Sequence, residues 1–277
     1  MPLVYCDHNF VVTSGQQTDD YKNHLRKLTS DGTVTFVLSP FHWIEMAEDA
    51  DVARRQAKAD YVDSLNPQWL RERRNIEAKE VESAFYDFAK IPHDPPQMVV
   101  KVTEVIADLA GQPGDRPSRN FVEHLRGIGP NHPIRTTLNE AFAKNQANIA
   151  SYQKGMFTPT FRRGVEVLYV ERLLPTNSPA GLIIDDSSKK DFLRVQKLTD
   201  FPAIAVETLA TYDNWAQGRQ LAHHNFLDQQ HVVALPYVNL FITDDKSLTS
   251  LISMVVKDVP FPCAKVITKA EFDASYP

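Results

Sequence analysis

The sequence predicts an α/β fold: a parallel sheet assembled from both chain ends, with a mainly helical insertion between them. Two observations carry this. Short apolar, β-rich runs alternate with helix signals at residues 1–50 and again at 220–277, the pattern of strands covered on both faces. Residues 51–219 read instead as charged, alanine-bearing stretches broken by proline- and glycine-rich joints, hence as helices joined by loops, partly packed on the same domain.

Each element follows from local chemistry. Residues 2–6 form a first buried strand, and Tyr21, Leu25 and Leu28 give 17–30 a helical period. Asp31-Gly32 turns the chain, and Val34 to Leu38 is a second buried strand. Ser39 suits a helix cap and Pro40 a first helical position. Joints such as "IPHDPPQ", "GQPGDRPS", "GIGPNHP" and "LPTNSPAG" separate the helices of the middle. Residues 224–235 then read as a helix, Val238 to Ile242 as a strand, Ser247 to Met254 as a helix, and 264–267 as a last strand.

Composition narrows the class. With 277 residues, 43% hydrophobic and 23% charged, the chain can bury a core without staples. Its two cysteines, Cys6 and Cys263, lie in or near apolar runs and read as buried thiols of a reducing compartment. No apolar run approaches the ~18 residues of a membrane span, and no basic-then-apolar leader opens the chain, so a cytoplasmic protein without membrane contact is expected. A net charge of −5 argues against broad, tight phosphate binding, because neutralising phosphates supplies most non-specific affinity.

Acids occupy particular places. Asp7 follows the first strand, where it is either a turn residue or a ligand; Glu45 lies early in the helix after the second strand. Asp228 has Val232 and Leu235 at i+4 and i+7, an apolar stripe on which an unpaired carboxylate is costly. Asp244 and Asp245 follow a strand directly. In a parallel sheet, sites form outside the carboxyl ends of strands. Carboxylates gathered there repel unless protonated or bound to a cation, and hard oxygen donors favour Mg²⁺ or Mn²⁺. Such a site activates water for displacement at phosphorus.

"VYCDHNF", "SPFHWIEMA", "NFLDQQHVVAL" and "LFITDDKSL" resemble, in this order, the four acidic blocks of the PIN-domain nucleases. The resemblance covers roughly residues 1–50 and 220–270. It implies a metal-dependent endoribonuclease working without a covalent intermediate. Asp7, Glu45, Asp228 and Asp245 would be its catalytic metal ligands. Asn9 and Thr243 would support them by hydrogen bonds, and Asp244 is the rival of Asp245 or a cap for the following helix. The middle has no counterpart in compact members of the family, many of which are toxins, and this chain is about twice their usual size. A haloacid-dehalogenase-type phosphatase also opens on a strand and an Asp, but needs a second Asp where Asn9 stands.

The implied partner is RNA, and Arg54, Arg55, Arg162, Arg163, His223 and His224 are candidates for contacting it, each also readable as a solvated surface residue. "RERR" at 71–74 carries the same two readings. His8, His42 and His231 stand beside the acidic blocks and read first as packing groups; Trp43, Trp69 and Trp215 read as core. The insertion would shape a substrate channel or a homodimer interface, and nothing in the sequence indicates an inhibitory partner. A non-catalytic RNA-binding or interaction module with the same fold is the competing reading.

Overall fold

The computed structural model describes residues 1–47, 49, 51–110, 159–216 and 230–277. Six strands, β1 (Leu3–Cys6), β2 (Thr35–Leu38), β3 (Gln68–Leu70), β4 (Val99–Val100), β5 (Leu240–Ile242) and β6 (Lys265–Ile267), form one sheet in the order β4-β3-β2-β1-β5-β6. All pairings are parallel except β3–β4. The described residues also form eleven α-helices: α1 (His8–Gly15), α2 (Asp19–Ser30), α3 (Pro40–Ala47), α4 (Val52–Ser64), α5 (Arg73–Ala89), α6 (Val102–Ala110), α7 (Pro159–Leu173), α8 (Asp186–Val195), α9 (Pro202–Ala216), α10 (Lys246–Asp258) and α11 (Lys269–Ser275).

Strand alternation divides the core. Val4 and Cys6, Phe36 and Leu38, Trp69 and Ile242 pack on one face with Phe10 and Val11 of α1, Leu25 of α2 and Phe272 of α11. Tyr5, Val37, Leu70 and Phe241 point to the other, against Val206 of α9, Leu248 and Ile252 of α10, and the turn Val232 to Leu235. Phe85, Val170, Phe192 and Phe201 form a third cluster among helices of the middle. Trp43 and Trp69 are core residues with ring centroids 5.0 Å apart.

The middle is not helical throughout. β3 and β4 lie within it and extend the sheet beyond β2, with Leu38 in register with Trp69 and Trp69 with Val100. Each is only two or three residues long, too short for a periodic signal. Two helices also stand where the sequence signal was weak: α1 directly after Asp7, and α11, capped by a Thr268–Glu271 box. Of the expected helix at 224–235, only residues from 230 onward are described, and Val232–Ala234 tighten into a 3-10 turn. Cys6 is buried, Cys263 half-buried, and both are free thiols. No helix among the described residues is long and apolar enough to cross a membrane.

The chain moves from β1 to β2 on one side and later returns to β5 on the other. The order therefore switches at β1, and the crevice beyond the carboxyl ends of β1 and β5 is where such sheets bind ligands. Asp7 and Thr243 are the first residues past those two ends.

Candidate functional site

Asp7 is a helix cap whose carboxylate is buried. Its extended backbone starts α1, and Oδ1 accepts the Phe10 N–H at 2.7 Å. Oδ2 accepts the Thr243 hydroxyl at 2.6 Å. The same hydroxyl oxygen accepts the Asp245 N–H at 3.0 Å, so one Thr ties the ends of β1 and β5 together. Burial pushes the Asp7 carboxyl above the ordinary carboxylate range, against the Thr243 and Phe10 hydrogen bonds; Glu45 nearby pushes the same way as burial.

Glu45 comes from α3 and its side chain is 13% exposed. Its Oε2 lies 3.3 Å from His231 Nε2 and 3.6 Å from His8 Nδ1. Glu45 Oε2, His231 Nε2 and His8 Nδ1 are all buried without a hydrogen-bond partner among the described residues. Burial raises the Glu45 pKa and lowers those of His8 and His231 to about 4, so both rings are neutral at pH 7. Among the described residues, neither Asp7 nor Glu45 has a Lys or Arg ion-pair partner.

A buried polar chain runs beneath this trio. His231 Nδ1 meets the Tyr5 hydroxyl at 2.5 Å, and that hydroxyl meets Ser39 Oγ at 2.8 Å. Ser39 does not act as the simple cap expected of it. Its N–H donates to His42 Nδ1 at 3.1 Å, while His42 Nε2 reaches the Cys6 carbonyl at 2.7 Å. An acceptor at Nδ1 and a carbonyl at Nε2 place the His42 proton on Nε2. Burial lowers the His42 pKa to about 4 as well. These histidines, read from sequence as packing groups, thus surround Glu45; a lone His beside an acidic block carries no signal separating the two roles.

The remaining expected residues divide. Asp245, not Asp244, caps α10: its Oδ1 accepts the Ser247 and Leu248 N–H groups at 2.6 and 3.0 Å. Asp244 is exposed and accepts the Lys269 N–H of α11 at 3.1 Å. Asn9 is exposed on α1, and among the described residues its side chain makes no hydrogen bond, contrary to the supporting role expected of it. Its offset of two from Asp7 places it past the cap, on the first turn's outer side. Asp228, His223 and His224 lie outside the described residues. Arg162 and Arg163 fall near the start of α7, with side chains outside the described part. Arg54 is 69% exposed but paired with Asp49 at 3.0 Å, and Arg55 donates to the Asp49 carbonyl at 3.1 Å. In "RERR", Arg71 pairs with Glu104 and Asp108, and Arg73 with Glu207 and Glu77, so both serve the fold rather than solvent.

As the side chains stand, no three His, Cys, Asp or Glu among the described residues form a ready metal cage. Two surface cavities, of about 380 and 330 Å³, lie elsewhere, beside Glu80 and Tyr237 and beside Leu3 and Pro262. Glu80 there accepts the Ala203 N–H at 2.8 Å and the Tyr237 hydroxyl, a capping role that needs no ligand. The sheet edge, with orphaned donors and desolvated carboxylates, is the chemically stronger candidate. Comparison with protein-family models, curated proteins and solved structures gave no match.

Proposed function

We propose that the chain is a divalent-metal-dependent ribonuclease with a PIN-like catalytic domain, hydrolysing RNA phosphodiester bonds at the carboxyl edge of β1, β2 and β5. The observation that carries this is buried Asp7, tied to Thr243 at the sheet's switch point, with the largely buried Glu45 near enough to act on it electrostatically, and with no Lys or Arg ion-paired to either carboxylate among the described residues. Uncompensated buried carboxylates are sustained by protons or a cation. The orphaned Glu45 Oε2 fits the second option.

Asp7 and Glu45 would hold Mg²⁺ or Mn²⁺, with Asp228 and Asp245 as the further acids of the resemblance. Such an ion would supply positive charge beside the phosphate and make a water easier to deprotonate. Thr243 and the Phe10 N–H fix the Asp7 carboxylate, and each of its oxygens keeps a second lone pair for a ligand. Glu45, raised by burial, is suited to take the proton that the attacking water loses as its oxygen bonds to phosphorus, while the oxygen that departs as the scissile P–O bond breaks takes a proton from solvent.

The test is cleavage of end-labelled single-stranded RNA, structured RNA and DNA with Mn²⁺, Mg²⁺ or a chelator. Wild type should cut RNA only with metal, and Asp7→Asn should lose roughly 10²-fold or more. Metal-independent cutting, or equal rates in Asp7→Asn, would sink the reading. A non-catalytic RNA-binding or interaction module draws on one observation: Asp244 and Asp245 already accept backbone N–H groups. It requires that Mn²⁺ leave the melting temperature of wild type and Asp7→Asn unchanged alike.

A further inference from the structure

We infer that Tyr5 is a positioning residue of this edge: its hydroxyl, fed by Ser39, donates to His231 Nδ1, fixes that ring with its proton on Nε2, and so turns an N–H toward Glu45 Oε2. Its effect on catalysis rests on the reading of Glu45 as the group that takes the proton of the attacking water. The direction of the chain follows from the hydrogen bonds alone.

That direction is set at the His42 end. His42 is neutral at pH 7 and carries its proton on Nε2, bonded to the Cys6 carbonyl at 2.7 Å. Its Nδ1 therefore offers a single in-plane lone pair. The Ser39 N–H, which cannot turn away, occupies it at 3.1 Å. The Ser39 hydroxyl can rotate, and it has the Tyr5 oxygen at 2.8 Å against His42 Nδ1 at 3.2 Å. Its proton goes to Tyr5. Burial keeps the Tyr5 hydroxyl protonated, and that proton goes on to His231 Nδ1 at 2.5 Å. A neutral imidazole whose Nδ1 accepts carries its hydrogen on Nε2.

The opposite direction is penalised at the Glu45 end. Were Tyr5 to donate to Ser39, His231 would carry its proton on Nδ1. Its Nε2 lone pair would then face Glu45 Oε2, 3.3 Å away and largely buried. A lone pair against an ionised carboxylate is repulsive in such surroundings, whereas an N–H there favours the ionised form. The pair lies off the alignment of a hydrogen bond. The N–H therefore acts on the carboxylate as a nearby dipole, and leaves its oxygens free to accept a proton.

Packing alone does not orient this ring. His42 and Phe41 meet it edge-on, with centroids 5.0 and 6.2 Å away. Such contacts hold the plane of an imidazole but do not tell its nitrogens apart. The Tyr5 hydroxyl does, and it does so from β1, while Glu45 comes from α3 and His231 from the segment before β5. Tyr5, Ser39, His42 and His231 are all buried, so the chain is a fixed part of the fold.

The experiment is long-range ¹H–¹⁵N correlation spectroscopy of the histidine rings in the ¹⁵N-labelled, metal-free full-length chain at pH 7. His231 is identified by the loss of its signals in His231→Gln or, should that variant not fold, by sequential assignment of the wild type. In wild type its Nε2 should be protonated and its Nδ1 an unprotonated acceptor. Tyr5→Phe keeps the ring and removes the donor, so Nδ1 should move toward the shift of an unbonded nitrogen. In RNA cleavage the same variant should lose about 10–100-fold in kcat with little change in KM. A proton on Nδ1 in wild type would overturn the inference, and this measurement carries the test should Tyr5→Phe fail to fold. A folded Tyr5→Phe with the kcat of wild type would overturn the positioning role. A wild type that shows the Nε2–H ring yet cuts no RNA with metal would sink the nuclease reading, while its ring still supports the hold of Tyr5 on His231.

Discussion

Two buried polar clusters among the described residues differ in one respect: of the two, one contains a permanent cation among those residues and the other does not. In the first, Arg73 reaches Glu207, Gln230 (3.0 Å) and Glu77 (3.7 Å), while the Tyr169 hydroxyl donates to the fully buried Glu77. In the second, Asp7 and Glu45 face His8 and His231 with no Lys or Arg among the described residues. A cluster that carries a guanidinium is complete in the folded chain. A cluster of acids and neutral imidazoles is complete only with a proton or an added cation. The contrast supports the proposal that the edge cluster is functional and the other structural, without reference to any relative. The two are also joined, because Gln230 precedes His231 in the chain.

The comparison is broken most directly by removing one member of each cluster. Arg73→Met leaves Glu207 without its ion-pair partner and should lower stability in urea unfolding by about 3–5 kcal/mol. Glu45→Gln removes a desolvated charge with no cationic partner and should leave the metal-free protein unchanged or slightly more stable. Equal losses would show that the edge cluster is structural too.

His42, beside the edge cluster, and Glu77, in the guanidinium cluster, should lose stability at opposite ends of the pH scale. His42 has a folded pKa of about 4, set first by burial and then by His231. Between the ordinary histidine value of ~6.5 and about 4 the unfolded chain therefore binds more protons, and stability falls as pH drops across that window. One such group accounts for up to about 3 kcal/mol by linkage. Glu77 is shifted the other way, upward, by burial first and then by Glu207. Its folded form keeps a proton that the unfolded form releases, so stability is lost as pH rises above the ordinary carboxylate range. Melting temperatures measured against pH should show a flatter acid limb in His42→Gln and a flatter alkaline limb in Glu77→Gln. An unchanged acid limb in His42→Gln would remove that histidine from the account.

What the sequence revealed follows the same division. The strands β1, β2, β5 and β6 were legible because each is an apolar run beside a turn or cap residue. Asp7 and Thr243 were legible because they follow two of those runs at once. β3 and β4 were not, since Gln68–Leu70 and Val99–Val100 are too short to show a period amid charged helices. Arg73, inside "RERR", looks like any solvated basic run, and only the partners brought by α9 and residue 230 show otherwise. His231 is the same case at the edge: its meaning lies in Tyr5 and Glu45, distant in sequence.

Thr243 offers a smaller and sharper test of how the edge is held. Thr243→Val keeps the shape but removes the donor to Asp7 and the acceptor for the Asp245 N–H. It should cost about 1–3 kcal/mol in thermal unfolding, while Thr243→Ser restores most of it. A neutral Thr243→Val would mean that the ends of β1 and β5 are joined by backbone pairing alone.

Asp245 carries the smallest expected effect on stability and the finest distinction. Its Oδ1 caps α10 by accepting two N–H groups, so Asp245→Ala should lose about 1 kcal/mol. Asn caps as well as Asp, so Asp245→Asn should change stability by only a few tenths of a kcal/mol. The two variants therefore separate a cap from a ligand. If the carboxylate serves only α10, Asp245→Asn behaves as wild type in both melting and Mn²⁺ response. If its charge also helps hold the cation, Asp245→Asn keeps its melting temperature while the Mn²⁺-induced shift shrinks. The second outcome would put Asp245 in the same position as Asp7, whose Oδ1 caps α1 while its Oδ2 meets Thr243 at the edge. A helix start is then a natural place for such a carboxylate, because the cap fixes one oxygen and leaves the other to the site.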